Sequence, residues 1–132
     1  MTTAFDELNL HPELVQAVLA LGYLEPMPVQ SAVIPLMIEG RDVIGQAQTG
    51  TGKTAAFALP MLQNLTAGHD RVQGLVLAPT RELALQVAQA INDLGKGRSI
   101  RVLAVYGGQP YGPQIRALNQ GVDIVVGTPG RL

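Results

Sequence analysis

The sequence predicts an α/β protein in which a parallel sheet is flanked by helices. Short apolar runs, largely β-branched, recur at 42–46, 74–78, 101–106 and 122–126. Each run is followed by a loop rich in Gly, Thr or Pro, and amphipathic helical patterns fill the gaps between them. Strands buried on both faces read as continuous apolar stretches, and alternating β and α units place helices over a parallel sheet.

The elements follow in order. Pro12 opens a first helix in the turn where a missing N–H is harmless, and Leu14, Val15, Val18 and Leu21 share one face before Gly22. A second helix starts at Pro28 and runs through Gln30, Val33 and Ile34 toward Ile38, with Pro35 bending it and Gly40 stopping it. The first strand, 42–46, leads into a glycine-rich loop and a helix through Ala55, Ala56 and Phe57. The clearest helix covers 81–94, where Ala84, Val87, Ala88, Ile91 and Leu94 form a single stripe before Gly95. Four strands are expected in all, with no internal repeat, low-complexity tract or linker.

Loops that follow parallel strands emerge on one edge of the sheet, and ligands bind there. These loops are 47–52, 79–81, 107–108 and 127–131, and they hold most of the unusual residues of the chain.

Composition narrows the function classes. The length of 132 residues suits one domain or part of one, and 47% hydrophobic with 14% charged residues is the balance of a buried core. No apolar run approaches the roughly 20 residues of a spanning helix and the N-terminus lacks signal-peptide order, so a soluble cytoplasmic chain without membrane contact is expected. Cysteine is absent, and His11 and His69 stand far apart, so no metal site built from protein ligands alone is expected. A net charge of -1 removes bulk charge as an argument for nucleic-acid binding, which leaves only local contacts. Lys96, Gly97 and Arg98, and the isolated Asp70 and Arg71, read as solvated loops.

The segment Ala47-Gln48-Thr49-Gly50-Thr51-Gly52-Lys53-Thr54 lies between a strand and a helix, the context a phosphate-binding loop requires. Gly50 and Gly52 let the backbone turn several N–H groups into one concavity at a helix N-terminus, where the dipole favours an anion. Lys53 adds a point charge for the outer phosphates, and the Thr54 hydroxyl is the expected protein ligand of a Mg²⁺ otherwise bound by phosphate oxygens and water. Ala47 replaces the glycine of the general pattern. The competing reading is a glycine-rich turn ending in an ordinary helix cap.

From Phe5 to Leu132 the chain resembles the first half of a DEAD-box RNA helicase. Gly22-Tyr-Leu-Glu-Pro-Met-Pro-Val-Gln30 is similar to the family's glutamine motif, with Phe5 as its isolated upstream aromatic and Met27 in place of the usual threonine. Residues 47–54 match the family's phosphate loop, alanine included. Pro79-Thr80-Arg81-Glu-Leu-Ala84 resembles the first RNA-contact motif, Gly107-Gly108 the glycine doublet, and Thr128-Pro-Gly130-Arg131 the second RNA-contact motif.

The resemblance implies a RecA-like fold, incomplete within these residues. It makes 1–132 the N-terminal portion of a helicase ATP-binding domain, with glutamine-motif helices at 1–40 and phosphate-loop βα units at 41–132. ATP with Mg²⁺ is the implied cofactor set, held by Phe5, Gln30, Gln48, Thr49, Gly50, Thr51, Gly52, Lys53 and Thr54, with Lys53 and Thr54 the implied catalytic pair. RNA is the implied partner, held without sequence readout by Pro79, Thr80, Arg81, Gly107, Gly108, Thr128, Gly130 and Arg131. The acidic Asp-Glu-Ala-Asp segment, the Ser-Ala-Thr motif and a second RecA-like domain with arginine fingers are not in this sequence, so isolated residues 1–132 are expected to bind nucleotide without efficient hydrolysis.

Residue chemistry adds to this. A glutamine amide offers a donor beside an acceptor, which suits the N7 and N6 of adenine and not the two acceptors of guanine. By resemblance Phe5 stacks on the base. The competing readings are Gln30 as a solvated helix residue and Phe5 as a hydrophobic anchor for the first helix, and the phosphate loop favours the base pocket over them. Thr80 and Thr128 sit where strands give way to predicted helices, so both loops are expected to present capped N-termini, with Arg81 and Arg131 as cationic contacts. Glycines 107, 108 and 130 allow close backbone approach, although Thr-Pro and Gly-Gly also simply end strands. Two other classes remain open: a non-catalytic adenine-nucleotide module, and another P-loop ATPase acting on DNA or protein.

Overall fold

The computed structural model describes residues 4–46, 52–65, 71–108 and 110–132. The chain divides into two compact units, Met1–Asn64 with Leu94–Gly97, and Leu65–Asp93 with Arg98–Leu132.

The first unit is helical. A 3₁₀ turn at Ala4–Leu8 precedes α1 (Pro12–Ala20), α2 (Pro28–Ile38) and α3 (Lys53–Asn64). Both α1 and α2 stop as their trailing glycines predict. Tyr23 N–H reaches back to the Val18 carbonyl at 3.2 Å and Arg41 N–H to that of Leu36 at 3.1 Å, closures that need the left-handed backbone of Gly22 and Gly40. α2 packs on α3, and the 3₁₀ turn touches α1 and α2. Phe5, Leu14, Val18, Ile34, Leu59 and Leu62 are buried. Each such apolar side chain contributes about 1.5–3 kcal/mol by leaving water. The Gln63 amide ties the loop before α1 to α3, accepting the His11 N–H at 2.8 Å and donating to the Asn9 carbonyl at 2.9 Å.

The second unit carries a three-stranded parallel sheet in the order β1 (Gly74–Leu77), β3 (Ile124–Gly127), β2 (Val102–Val105). β3 is central and wholly buried, as its unbroken Ile-Val-Val-Gly run requires. α4 (Arg81–Leu94) and α5 (Tyr111–Gln120) make the crossovers that parallel strands need. The predicted α4 stripe is buried at Ala84, Val87, Ile91 and Leu94. Val105, Val122 and Val125 form a core cluster with Leu103 packed against it.

The parallel α/β architecture is as expected, but among the described residues the sheet has three strands where four were expected. Residues 42–46 belong to no sheet among the described residues. An apolar run becomes a strand only when a neighbour supplies a ladder, and this segment instead borders a groove along α2, with Ile44 left 96% exposed. The last strand also begins later than expected, at Ile124, because Asp123 uses its backbone to start the ladders on both sides. Lys96–Arg98 is a 3₁₀ turn and not a plain solvated loop, and the Arg98 guanidinium donates to the Leu65 carbonyl at 3.4 Å. Among the described residues no helix is long and apolar enough to cross a membrane.

Candidate functional site

In the first unit the start of α3 and the start of α2 meet through one side chain. Gln30 is 1% exposed. Its oxygen accepts the Met27 N–H at 2.8 Å, closing the first turn of α2, and its nitrogen donates to the Gly52 carbonyl at 3.1 Å. The same carbonyl accepts the Ala56 N–H at 3.2 Å, the bond that starts α3. The N–H groups of Lys53, Thr54 and Ala55 therefore precede the helical ladder and have no partner within it.

Gly52 sits at φ +70°, and a Cβ there would collide with the Gln30 amide. Lys53 is exposed and Thr54 partly exposed, side by side on the first turn of α3. Gln48, Thr49, Gly50 and Thr51 lie outside the described residues. Phe5 is 0% exposed within its 3₁₀ turn, so its ring has no open face in this structure.

The second unit gathers the other predicted residues. Leu77 and Val105 both stand in register with Gly127, so the three strands end level. Ala78 N–H donates to the Gly127 carbonyl and Thr128 N–H to the Val105 carbonyl, each at 3.0 Å. The loops 79–81, 107–108 and 128–131 thus leave one sheet edge, as the parallel topology requires; residues 47–51 of the fourth predicted loop lie outside the described residues.

Thr80 caps α4, its hydroxyl accepting the Leu83 N–H at 3.2 Å. Thr128 starts no helix among the described residues. Its carbonyl accepts the N–H groups of Arg131 and Leu132 at 3.2 Å, which makes a single turn. Pro79, Thr80, Gly107, Gly108 and Gly130 are exposed, and a Cβ added at Gly107 or Gly130 would meet nothing within 4 Å. Arg81 lies over the Tyr106 ring at 5.0 Å and Arg131 over the Tyr111 ring at 4.1 Å.

A family model for the DEAD/DEAH box helicase matches residues 27–132. The chain belongs to that family. It is 56% identical over 131 residues to the ATP-dependent RNA helicase DeaD of Buchnera aphidicola, covering 98% of this chain and 22% of that protein. It is 51% identical over 130 residues to the DEAD-box ATP-dependent RNA helicase CshA of Bacillus cereus, covering 98% of this chain and 25% of that one. The chain therefore spans about a quarter or less of these relatives. Among solved structures, a DEAD box protein from Methanococcus jannaschii superposes with a TM-score of 0.92 at 40% identity, over 98% of this chain and 36% of its own. A Dbp5 variant of S. cerevisiae bound to RNA and ADP BeF3 superposes with a TM-score of 0.86 at 35% identity, over 98% and 33%.

Sequence reasoning missed Gln114 beside the loop residues and a second buried polar group, Asp123, away from them. Gln114 is buried and bridges two groups, donating to the Tyr106 carbonyl at 3.3 Å and accepting from the Arg131 guanidinium at 3.2 Å. Asp123, 1% exposed, accepts the Arg101 backbone N–H at 2.9 Å and its Nε at 3.4 Å at the opposite end of the sheet. The available signal for Tyr106 and Tyr111 was their position flanking the glycine doublet; for Gln114 and Asp123 the sequence carried none.

Proposed function

We propose that this chain is the ATP- and RNA-binding portion of a DEAD-box RNA helicase, an ATP-hydrolysing enzyme that unwinds or remodels short RNA duplexes. Residues 1–132 then form the N-terminal part of a RecA-like ATP-binding domain, with glutamine-motif helices at 1–40 and phosphate-loop βα units at 41–132.

One joint carries the reading: the bond from Gln30 to the Gly52 carbonyl links the glutamine segment to the turn that opens α3, which supports a shared nucleotide site. The residues present fit a nucleoside triphosphate. Gly52 brings the backbone close where no Cβ has room, three N–H groups of α3 precede its ladder, and Lys53 presents an exposed cation beside them. By the sequence pattern, Gln48, Thr49, Gly50 and Thr51 are assigned to the same phosphate site. The Thr54 hydroxyl would hold Mg²⁺, which supplies charge neutralisation at the phosphate oxygens. Lys53 and Thr54 are the two catalytic assignments.

Gln30 spends one N–H and one lone pair on backbone, so its amide keeps one of each for the N7 and N6 of adenine. Phe5 stacks on the base once its covered ring opens to the pocket. In the second unit, Pro79, Thr80, Arg81, Gly107, Gly108, Thr128, Gly130 and Arg131 hold RNA by phosphates and sugars, which carry no sequence information. The sequence contains no Asp-Glu-Ala-Asp segment, so residues 1–132 in isolation bind adenine nucleotide without efficient turnover.

A thermal melt with excess Mg-ADP or Mg-GDP tests the nucleotide site, because a ligand that binds only the native state adds about 2.7 kcal/mol at roughly a hundredfold excess over Kd. ADP is expected to raise the midpoint, GDP to leave it, and Lys53→Ala to abolish the ADP shift. An ADP shift that persists in Lys53→Ala would remove Lys53 from the phosphate site.

A further inference from the structure

Of the residues the described part of α5 presents, the buried one is a glutamine. Ile115 and Leu118 of the same helix are 51% and 40% exposed while Gln114 is 9% exposed. Burying an amide costs free energy unless both of its ends are satisfied, and here both are. The donor end takes the carbonyl of Tyr106, the residue before the glycine doublet, whose ring faces Arg81. The acceptor end takes Nη1 of Arg131, whose guanidinium also lies on Tyr111. A continuous chain of contacts, Arg81 to Tyr106 to Gln114 to Arg131 to Tyr111, therefore joins the three loops at the sheet edge.

We infer that Gln114 is a positioning residue for RNA binding: it fixes the Arg131 guanidinium and registers it against the glycine-doublet loop. The choice of an amide has a physical reason. A neutral acceptor orients a guanidinium without cancelling its charge, whereas a carboxylate at 114 would compete with phosphate for it. An apolar residue would fill the space and remove the bonds to both the Tyr106 carbonyl and the Arg131 guanidinium. The bond to Gln114 adds a directional restraint on the Arg131 guanidinium to its stacking on Tyr111.

The inference rests on the reading of Arg131 as an RNA contact, and the test separates the two. The affinity of the complete polypeptide for a fluorescein-labelled oligouridine is measured across a salt series. Arg131→Ala is expected to weaken binding about tenfold and to lower the salt slope by about 0.7, the loss of one phosphate contact. Gln114→Met, similar in volume and without the amide, is expected to weaken binding several-fold with a lowered slope. Combined with Arg131→Ala it should cost no more than Arg131→Ala alone.

Wild-type affinity and slope in Gln114→Met, with Arg131→Ala weakened, overturns the role of Gln114 and leaves Arg131 in place. An unchanged Arg131→Ala overturns both. If Gln114→Met melts below the assay temperature, Gln114→Glu decides: a lowered slope, from Arg131 drawn into an ion pair, supports the inference, and a wild-type slope overturns it.

Discussion

The Gln30 amide nitrogen lies 3.1 Å from the Gly52 carbonyl and donates to it, linking the first turn of α2 to the turn that opens α3. The contact exists because Gly52 has no side chain: any Cβ would occupy the space of that amide. One residue thereby takes part in a helix cap, a helix start and the pocket assigned to the base.

Gly52→Ala tests the contact from its other end. A left-handed φ costs an L-residue about 1–2 kcal/mol, and displacement of Gln30 adds to this. The variant is expected to lose about 2 kcal/mol or more in urea unfolding and to bind Mg-ADP more weakly. Unchanged values of both would show that the turn accommodates a side chain.

Gln30→Ala should cost about 1–3 kcal/mol by removing the buried Gln30 amide that partners the Met27 N–H and the Gly52 carbonyl. Its ADP-to-GDP affinity ratio should move toward one, measured by isothermal titration. A ratio that stays at the wild-type value would confine Gln30 to its structural bonds.

Thr80→Ala removes the α4 cap and is expected to destabilise by about 1 kcal/mol. Binding of the oligouridine should weaken as well, since the same hydroxyl end of α4 is assigned to RNA. Full stability in chemical denaturation would mean that water replaces the Leu83 contact without loss.

Asp123→Ala removes the carboxylate that holds the Arg101 backbone N–H at the start of β2. The expected loss is about 2 kcal/mol, read by urea unfolding, because a buried charge-assisted bond to backbone is lost while Arg101, partly exposed, can turn to water. Oligouridine affinity should hold, since Asp123 lies at the sheet end opposite the three loops. A parallel fall in RNA affinity at full native population would contradict that separation.

Local chemistry made most of the helices legible. Pro12 and Pro28 start α1 and α2, Gly22 and Gly40 end them, and the Ala84 to Leu94 spacing marks the buried face of α4. Each depends on a few neighbouring residues and on the helical period, so each is readable in one dimension. The sheet was less so. Residues 42–46 look like a strand, but pairing is a relation between distant segments, and this segment has no ladder among the described residues. The onset of β3 shifted for the same reason, since Asp123 makes bonds to Gln73 and Arg101 that no local pattern encodes.

Residue types and their order along the chain were enough to determine the family, the parallel α/β class and the motif residues assigned to nucleotide and RNA. These follow from motif spacing and backbone propensity, which are properties of short segments. Tertiary packing alone settled which polar side chains serve as struts: Gln30 bound to Gly52, Asp123 at the foot of the sheet, and Gln114 buried while Ile115 of the same helix is exposed. Gln30 and Gln114 have both amide ends bonded and Asp123 one of its two carboxylate oxygens, and the partners at Gly52, Tyr106, Arg131 and Arg101 reach them only through the fold.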